Sequence, residues 1–112
     1  MKQILLDTNF IITCIKQKID FFDYLYGEGY TIFVPEQVIN ELEKLKQESA
    51  LKLLKNSKFK KIALKGKIVD NSIINYAKEN PTLIVATLDR ELQKKIRNRK
   101  MVIRDRRKLE IL

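Results

Sequence analysis

Four acidic side chains stand where an α/β protein would use them for chemistry: Asp7, Glu41, Asp70 and Asp89. Asp7 directly follows the apolar run Ile4-Leu5-Leu6, and Asp89 comes two residues after the apolar run 83–86. The plain alternative for both is helix capping, since Asp is a favoured N-cap residue and Asp89 stands just before a helical stretch. On a helical wheel Asp70 falls along the stripe Ile73, Ile74, Ala77, which predicts a carboxylate turned toward the core. Burying it is costly without a partner, and a metal ion, a basic side chain or a first-turn amide would each serve. Glu41 borders the stripe Val38, Ile39, Leu42, Leu45, where a solvated glutamate is the ordinary reading.

Together the four acids say more than singly. Clustered carboxylates repel one another, and a divalent cation removes the repulsion. An oxygen-only donor set suits Mg²⁺ or Mn²⁺. The chemistry that follows is attack of metal-activated water on a phosphodiester. The chain has no histidine and a single cysteine, Cys14. A histidine base, a Ser-His-Asp triad, a cysteine-based zinc cluster and an internal disulfide are therefore all excluded.

The surroundings of these acids are basic. Twenty-three Lys and Arg against fourteen Asp and Glu give a net charge of +9. Residues 90–108 carry Arg90, Lys94, Lys95, Arg97, Arg99, Lys100, Arg104, Arg106, Arg107 and Lys108 against Glu91 and Asp105, and residues 44–67 add nine lysines against Glu48. Such a surface attracts polyanions, which points to nucleic acid, with Arg90, Lys94, Lys95, Arg97, Arg99 and Lys100 as the phosphate-binding candidates. Glu91 is a candidate fifth acid, although a first-turn glutamate also suits a helix dipole. Phe21, Phe22, Tyr24, Tyr26 and Tyr30 have the spacing of helix packing rather than of base stacking, Tyr24 being the best candidate for exposure.

The elements that must position the acids can be read from the pattern. Strands are expected at 3–6, 31–34, 60–64, 83–87 and, as the last, 101–103. Helices are expected after Thr8, at about 19–27 with Gly27 and Gly29 ending it, after Pro35, at about 48–56, at 68–78 and at 90–98. Strands apolar on both faces, alternating with helices, predict one α/β domain over residues 1–112. Its mostly parallel central sheet would be covered on both sides, a three-layer α/β/α arrangement. Sites in such sheets form at the carboxyl ends of the strands, which is where Asp7 and Asp89 fall. With 112 residues, 45% of them hydrophobic, the chain can bury one core. No run approaches a membrane span, and Asp7 interrupts the first apolar stretch too early for a secretory signal, so a cytoplasmic protein is expected.

The ordered segments Leu6-Asp7-Thr8-Asn9, Val38-Ile39-Asn40-Glu41-Leu42, Asp70-Asn71-Ser72-Ile73 with Ala77, and Val85-Ala86-Thr87-Leu88-Asp89-Arg90-Glu91-Leu92 resemble the PIN domain family. The likeness extends over nearly the whole chain and is nearest to the archaeal branch of ribosomal-RNA-processing PIN nucleases, then to small toxin ribonucleases. It implies a doubly wound α/β/α fold and an Mg²⁺- or Mn²⁺-dependent endoribonuclease. Asp7, Glu41, Asp70 and Asp89 would be its metal ligands, with Asn9 and Thr87 orienting them. It also implies RNA as substrate, an antitoxin or a ribosome-assembly protein as partner, and dimerisation. Leu88 departs from the polar or small residue frequent at that place. A module that holds RNA without cutting it is the alternative. A phosphoryl-transfer enzyme with Asp7 as nucleophile would want a second acid two residues on, where this chain has Asn9.

Overall fold

The computed structural model describes residues 2–105 and 107–112; Met1 and Arg106, one of the basic residues counted above, lie outside the described residues. Six strands form one sheet in the order β3-β2-β1-β4-β5-β6. In chain order the elements are β1 (Lys2–Leu6), α1 (Thr8–Lys16), α2 (Phe21–Gly27), β2 (Tyr30–Pro35), α3 (Glu36–Lys44), α4 (Glu48–Lys55), β3 (Lys60–Ile62), α5 (Val69–Glu79), β4 (Ile84–Ala86), α6 (Arg90–Lys95), β5 (Lys100–Arg104) and β6 (Lys108–Ile111). All pairings are parallel except β5 with β6. The expected three-layer, mostly parallel architecture is therefore present.

Its layers follow from strand alternation. Ile4 and Leu6 of β1, Ile32 and Val34 of β2, and Ile84 and Ala86 of β4 join one core cluster, while Leu5, Phe33 and Val85 between them join a second. Successive side chains of a strand point to opposite faces, so the two clusters lie on opposite sides of the sheet. Helices α1 to α4 supply Phe10, Phe21, Leu25, Val38, Leu42 and Leu54 to the first. Helices α5 and α6 supply Ile73, Ala77 and Leu92 to the second. The chain steps from β1 outward to β3 with helices on one face, then crosses back to β4 and β5 with helices on the other. Right-handed crossovers require that division once the direction of travel reverses. Cys14, fully buried beside these residues, has its thiol pushed up to about 12 by burial.

Three expectations are corrected. Residues 101–103 are not the last strand: β6 follows and pairs antiparallel with β5, Met101 against Ile111 and Ile103 against Leu109. The sixth helix stops at Lys95, because Ile96 turns to extended backbone (φ −116°, ψ 145°) and buries its side chain in the second cluster. Leu45, placed on the apolar stripe of α3, is 52% exposed, since that helix ends at Lys44. Of the aromatics, Phe21, Phe22 and Tyr30 are buried as packing residues, whereas Tyr24 and Tyr26 are equally exposed.

Candidate active site

The four acids arrive at one edge of the sheet by four different routes. Asp7 ends β1, Glu41 lies one turn into the helix after β2, Asp70 opens the helix after β3, and Asp89 follows β4. Those strands are neighbours in the sheet, so every acid comes from a segment just past a strand's carboxyl end. Between β1 and β4 the direction of the chain across the sheet reverses, and this crevice is where open α/β sheets bind ligands.

Asp7 and Asp89 are both helix caps, as the plain reading held, and capping leaves them inside the cluster. Asp7 Oδ1 accepts from the Thr8 amide at 2.8 Å. Its backbone amide donates to the Ala86 carbonyl at 3.0 Å, which ties the ends of β1 and β4 together. Thr87 Oγ1 donates to Asp7 Oδ2 at 2.9 Å and itself accepts from the Asp89 amide at 3.2 Å. Asp89 Oδ1 accepts the amides of Glu91 (2.9 Å) and Leu92 (3.2 Å), so its other oxygen keeps no bond to the helix. Thr87, fully buried, thus holds two of the acids in one hydrogen-bonded chain, while Gln93 Nε2 fixes its carbonyl at 2.7 Å.

The electrostatics join the remaining two. Asp7 is 5% exposed, and burial raises its carboxyl above the ordinary value. The bonds from Thr87 and Thr8 pull it back, while the nearby charges of Asp70 and Glu41 raise it further. Asp70 is raised as well, by partial loss of water and then by Asp89 and Glu41, with Lys95 opposing. Among the described residues no basic side chain pairs with any of the four within ion-pair distance. Mutual repulsion is therefore left uncompensated by the protein itself.

One expectation about Asp70 fails: it is exposed rather than turned into the core. It sits in the first turn of α5 at the flank of the buried face, which runs through Val69, Ser72, Ile73 and Ala77. Asn9 is exposed and makes no side-chain hydrogen bond among the described residues, unlike Thr87. Glu91 points away to an exposed pair with Lys94 at 3.7 Å.

Sequence reasoning missed three supporting residues. Thr8 is buried beside Asp7, with its hydroxyl left without a protein partner. Gln37 brackets Leu64, donating to its carbonyl at 2.6 Å and accepting from its amide at 3.3 Å, and so fixes the loop that leads into Asp70. Buried Asn98 places its amide nitrogen within 3.1, 2.8 and 2.9 Å of the carbonyls of Ala77, Asn80 and Leu83. A spacing motif signals none of these, and Asn98 is hidden within the basic run.

The basic candidates separate. Lys95 lies within charge range of Asp70. Arg90, Lys94 and Lys100 share a shallow depression of about 370 Å³ with Leu112. Burial and then Tyr24 raise the phenol of Tyr30, and the charge of Arg99 opposes that rise, which puts Arg99 near the start of β2 and hence toward the opposite edge of the sheet.

The donor chemistry fits a hydrated hard cation. Carboxylate oxygens with no basic partner, next to a buried hydroxyl in want of a hydrogen bond, suit an ion that keeps part of its water shell. Among the described residues no three acids stand close enough to grip one ion between them. Mg²⁺ commonly takes one or two carboxylates and leaves its other positions to water and phosphate.

Known proteins match this arrangement throughout. A family model described as a PIN-like domain matches residues 4–108. The chain is 34% identical to ribonuclease VapC4 of Methanocaldococcus jannaschii, over 99% of this chain and 97% of that one. It is 35% identical to the rRNA-processing protein fcf1 of Schizosaccharomyces pombe over 84% of its own length, and spans about half (53%) of that protein. The structure of the PIN domain endonuclease Utp24 superposes with a TM-score of 0.84 at 29% identity, covering 98% of this chain and 92% of that one. On the strength of this match and of the sheet and acids described, the chain belongs to the PIN-like domain family.

Proposed function

We propose that the chain is an endoribonuclease that hydrolyses RNA phosphodiesters with hydrated divalent cations, Mg²⁺ or Mn²⁺, bound among Asp7, Glu41, Asp70 and Asp89 directly or through water. The single observation that carries this reading is the coupling of four acids, without basic partners, at the carboxyl edge of a protein with net charge +9. The relatives named a ribonuclease and an endonuclease support it. When bound, the cation supplies an activated water and neutralises the charge developing on the phosphate. The protein's own residues do the positioning. Thr87 holds Asp7 and Asp89 in register, the helix caps fix Oδ1 of each and leave Oδ2 of Asp89 free of the helix, and Gln37 steadies the approach to Asp70. Lys95 stands where it would meet the substrate's phosphates. The same reading gives a cytoplasmic protein whose partner is an antitoxin or a ribosome-assembly protein, and whose copies pair.

A labelled single-stranded RNA incubated with Mn²⁺, with Mg²⁺ and with EDTA, beside the Asp70→Asn variant, tests the proposal. Cleavage with metal and wild type alone is expected. Cleavage that persists in the variant or in EDTA would refute it. Binding without cleavage under every metal condition would favour a module that holds RNA, a reading that the similarity to fcf1, an rRNA-processing protein, also supports.

A further inference from the structure

The groove between α5 and α6 leads away from the acids. Helix α5 starts at Val69 and runs back along the sheet; at ~1.5 Å per residue, Ile74 stands about 6 Å and Lys78 about 12 Å beyond Asp70 along the axis. Beyond Ile74 the groove opens into a cavity of about 600 Å³, within the ~300–1,000 Å³ span of small-molecule sites. Ile74, Ala77 and Ile96 line it on the apolar side, and Lys78, Lys95 and Arg97 supply its charge. No acid lines it. Among the described residues none of the three cations is in an ion pair.

Two features make this a built site rather than a surface dip. Asn98, itself 6% exposed, ties the end of α5 to the residues before β4 and so holds the cavity wall in one shape. Lys95, which lines the cavity, ends the helix that Asp89 caps, and at ~1.5 Å per residue it stands about 9 Å from that acid along the axis, which sets the cavity beside the candidate active site. Apolar side chains with cations around them fit a nucleobase and its phosphate: the base would lie on Ile74, Ala77 and Ile96 and the phosphate would meet the ammonium and guanidinium groups.

We infer that the cavity lined by Ile74, Ala77, Ile96, Lys78, Lys95 and Arg97 holds a nucleotide of the single-stranded RNA that flanks the bond to be cut. The inference rests on the ribonuclease reading for the identity of the strand, but its test does not depend on cleavage. In EDTA, ¹⁵N-labelled protein is titrated with 5′-AMP, with inorganic phosphate, and then with a short single-stranded oligoribonucleotide. The expected result is that 5′-AMP shifts the amides of Ala77, Ile96 and Arg97, that phosphate alone does not shift Ala77, and that the oligonucleotide displaces 5′-AMP. Lys78→Ala combined with Arg97→Ala should weaken oligonucleotide binding roughly tenfold and reduce the slope of log affinity against log salt by about 1.4, at ~0.7 per phosphate contact on a single strand. Lys52→Ala on α4, on the opposite face, serves as the control and should leave both values in place.

No shift at these amides with either nucleotide ligand overturns the inference. So does 5′-AMP that the oligonucleotide fails to displace, which would mark a site for a free nucleotide, or phosphate that reproduces every shift, which would mark charge alone. Absence of cleavage with Mn²⁺ while the expected map is obtained would count against the ribonuclease reading only.

Discussion

Thr87 Oγ1 lies 2.9 Å from Asp7 Oδ2, two residues that stand 80 apart in the chain, and the same oxygen accepts the amide of Asp89. One hydroxyl thus fixes the relative position of two acids from different strands. Thr87→Val keeps the shape and removes both bonds. The expected outcome is a loss of about 1 kcal/mol in stability and roughly a 10- to 100-fold loss of metal affinity or cleavage. Thr87→Ser should restore most of both. Calorimetric metal titration and denaturant melts of the three proteins make the comparison.

Among the described residues Asp70 makes no side-chain hydrogen bond, and it is exposed, so its charge is the main thing it contributes. Asp70→Asn should melt at or above the wild-type temperature in EDTA, because repulsion from Asp89 and Glu41 is relieved. Metal should reverse the order. At a free concentration about one hundred times Kd, binding stabilises the wild type by about 2.7 kcal/mol, and most of that shift should be missing in the variant. Thermal melts across a Mn²⁺ series decide the matter; an equal shift in both proteins would remove Asp70 from the metal site.

The pH dependence follows from burial first and from the same repulsion second. Asp7 and Asp70 both have carboxyls raised in the folded state. A group raised on folding binds its proton more tightly in the native protein, so its stabilising contribution is full below the unfolded value near 3.8 and is lost as pH rises through the folded one. The advantage of Asp70→Asn over wild type in EDTA should therefore be absent in strong acid and grow as pH climbs past the raised carboxyls. Urea melts of both proteins at a series of pH values read it directly. Cleavage should rise over the same window, since the ionised acids are the ones that hold the cation.

Asn98 serves three backbone carbonyls at once. Asn98→Ala leaves them to find other donors inside the fold, at a cost of about 2 kcal/mol. Hydrogen exchange should then speed up at the end of α5 and in the segment before β4, with the amides near Asp7 little changed. Uniform exchange across the protein would mean that Asn98 is not a local clamp.

What could be read beforehand followed physical signals of unequal strength. Ile4-Leu5-Leu6 and Ile84-Val85-Ala86 are apolar on both faces, which only central strands tolerate, so β1, β4 and the acids after them were legible from residue type alone. Asp70 is exposed where the wheel turns it inward: the face that α5 packs runs through Val69, Ser72, Ile73 and Ala77, and Asp70 stands at the flank of that face rather than along its middle. The strand β6 was invisible because Leu109 and Ile111 alternate with Lys108 and Glu110, an edge pattern buried on one side that reads as a charged tail. The basic run 90–108 looked like one patch, but the break of α6 at Ile96 and the entry into β5 send Lys95 and Arg99 toward different edges. Gln37, Thr8 and Asn98 take their importance from backbone groups brought near by folding, which no spacing encodes.

Cys14 closes with a practical consequence. Its side chain is wholly buried and its thiol, pushed up to about 12, is almost entirely un-ionised at neutral pH. The thiolate is the nucleophile that attacks thiol reagents, so the native molecule should stay unlabelled by maleimide or iodoacetamide. A second cysteine introduced on the rim of the α5–α6 groove, for instance at exposed Thr82 next to the groove-lining Pro81, would then be the only reactive handle. A fluorophore or spin label could be attached there without first removing Cys14 from the core, which makes the passage of an RNA strand open to distance measurements on an otherwise native background.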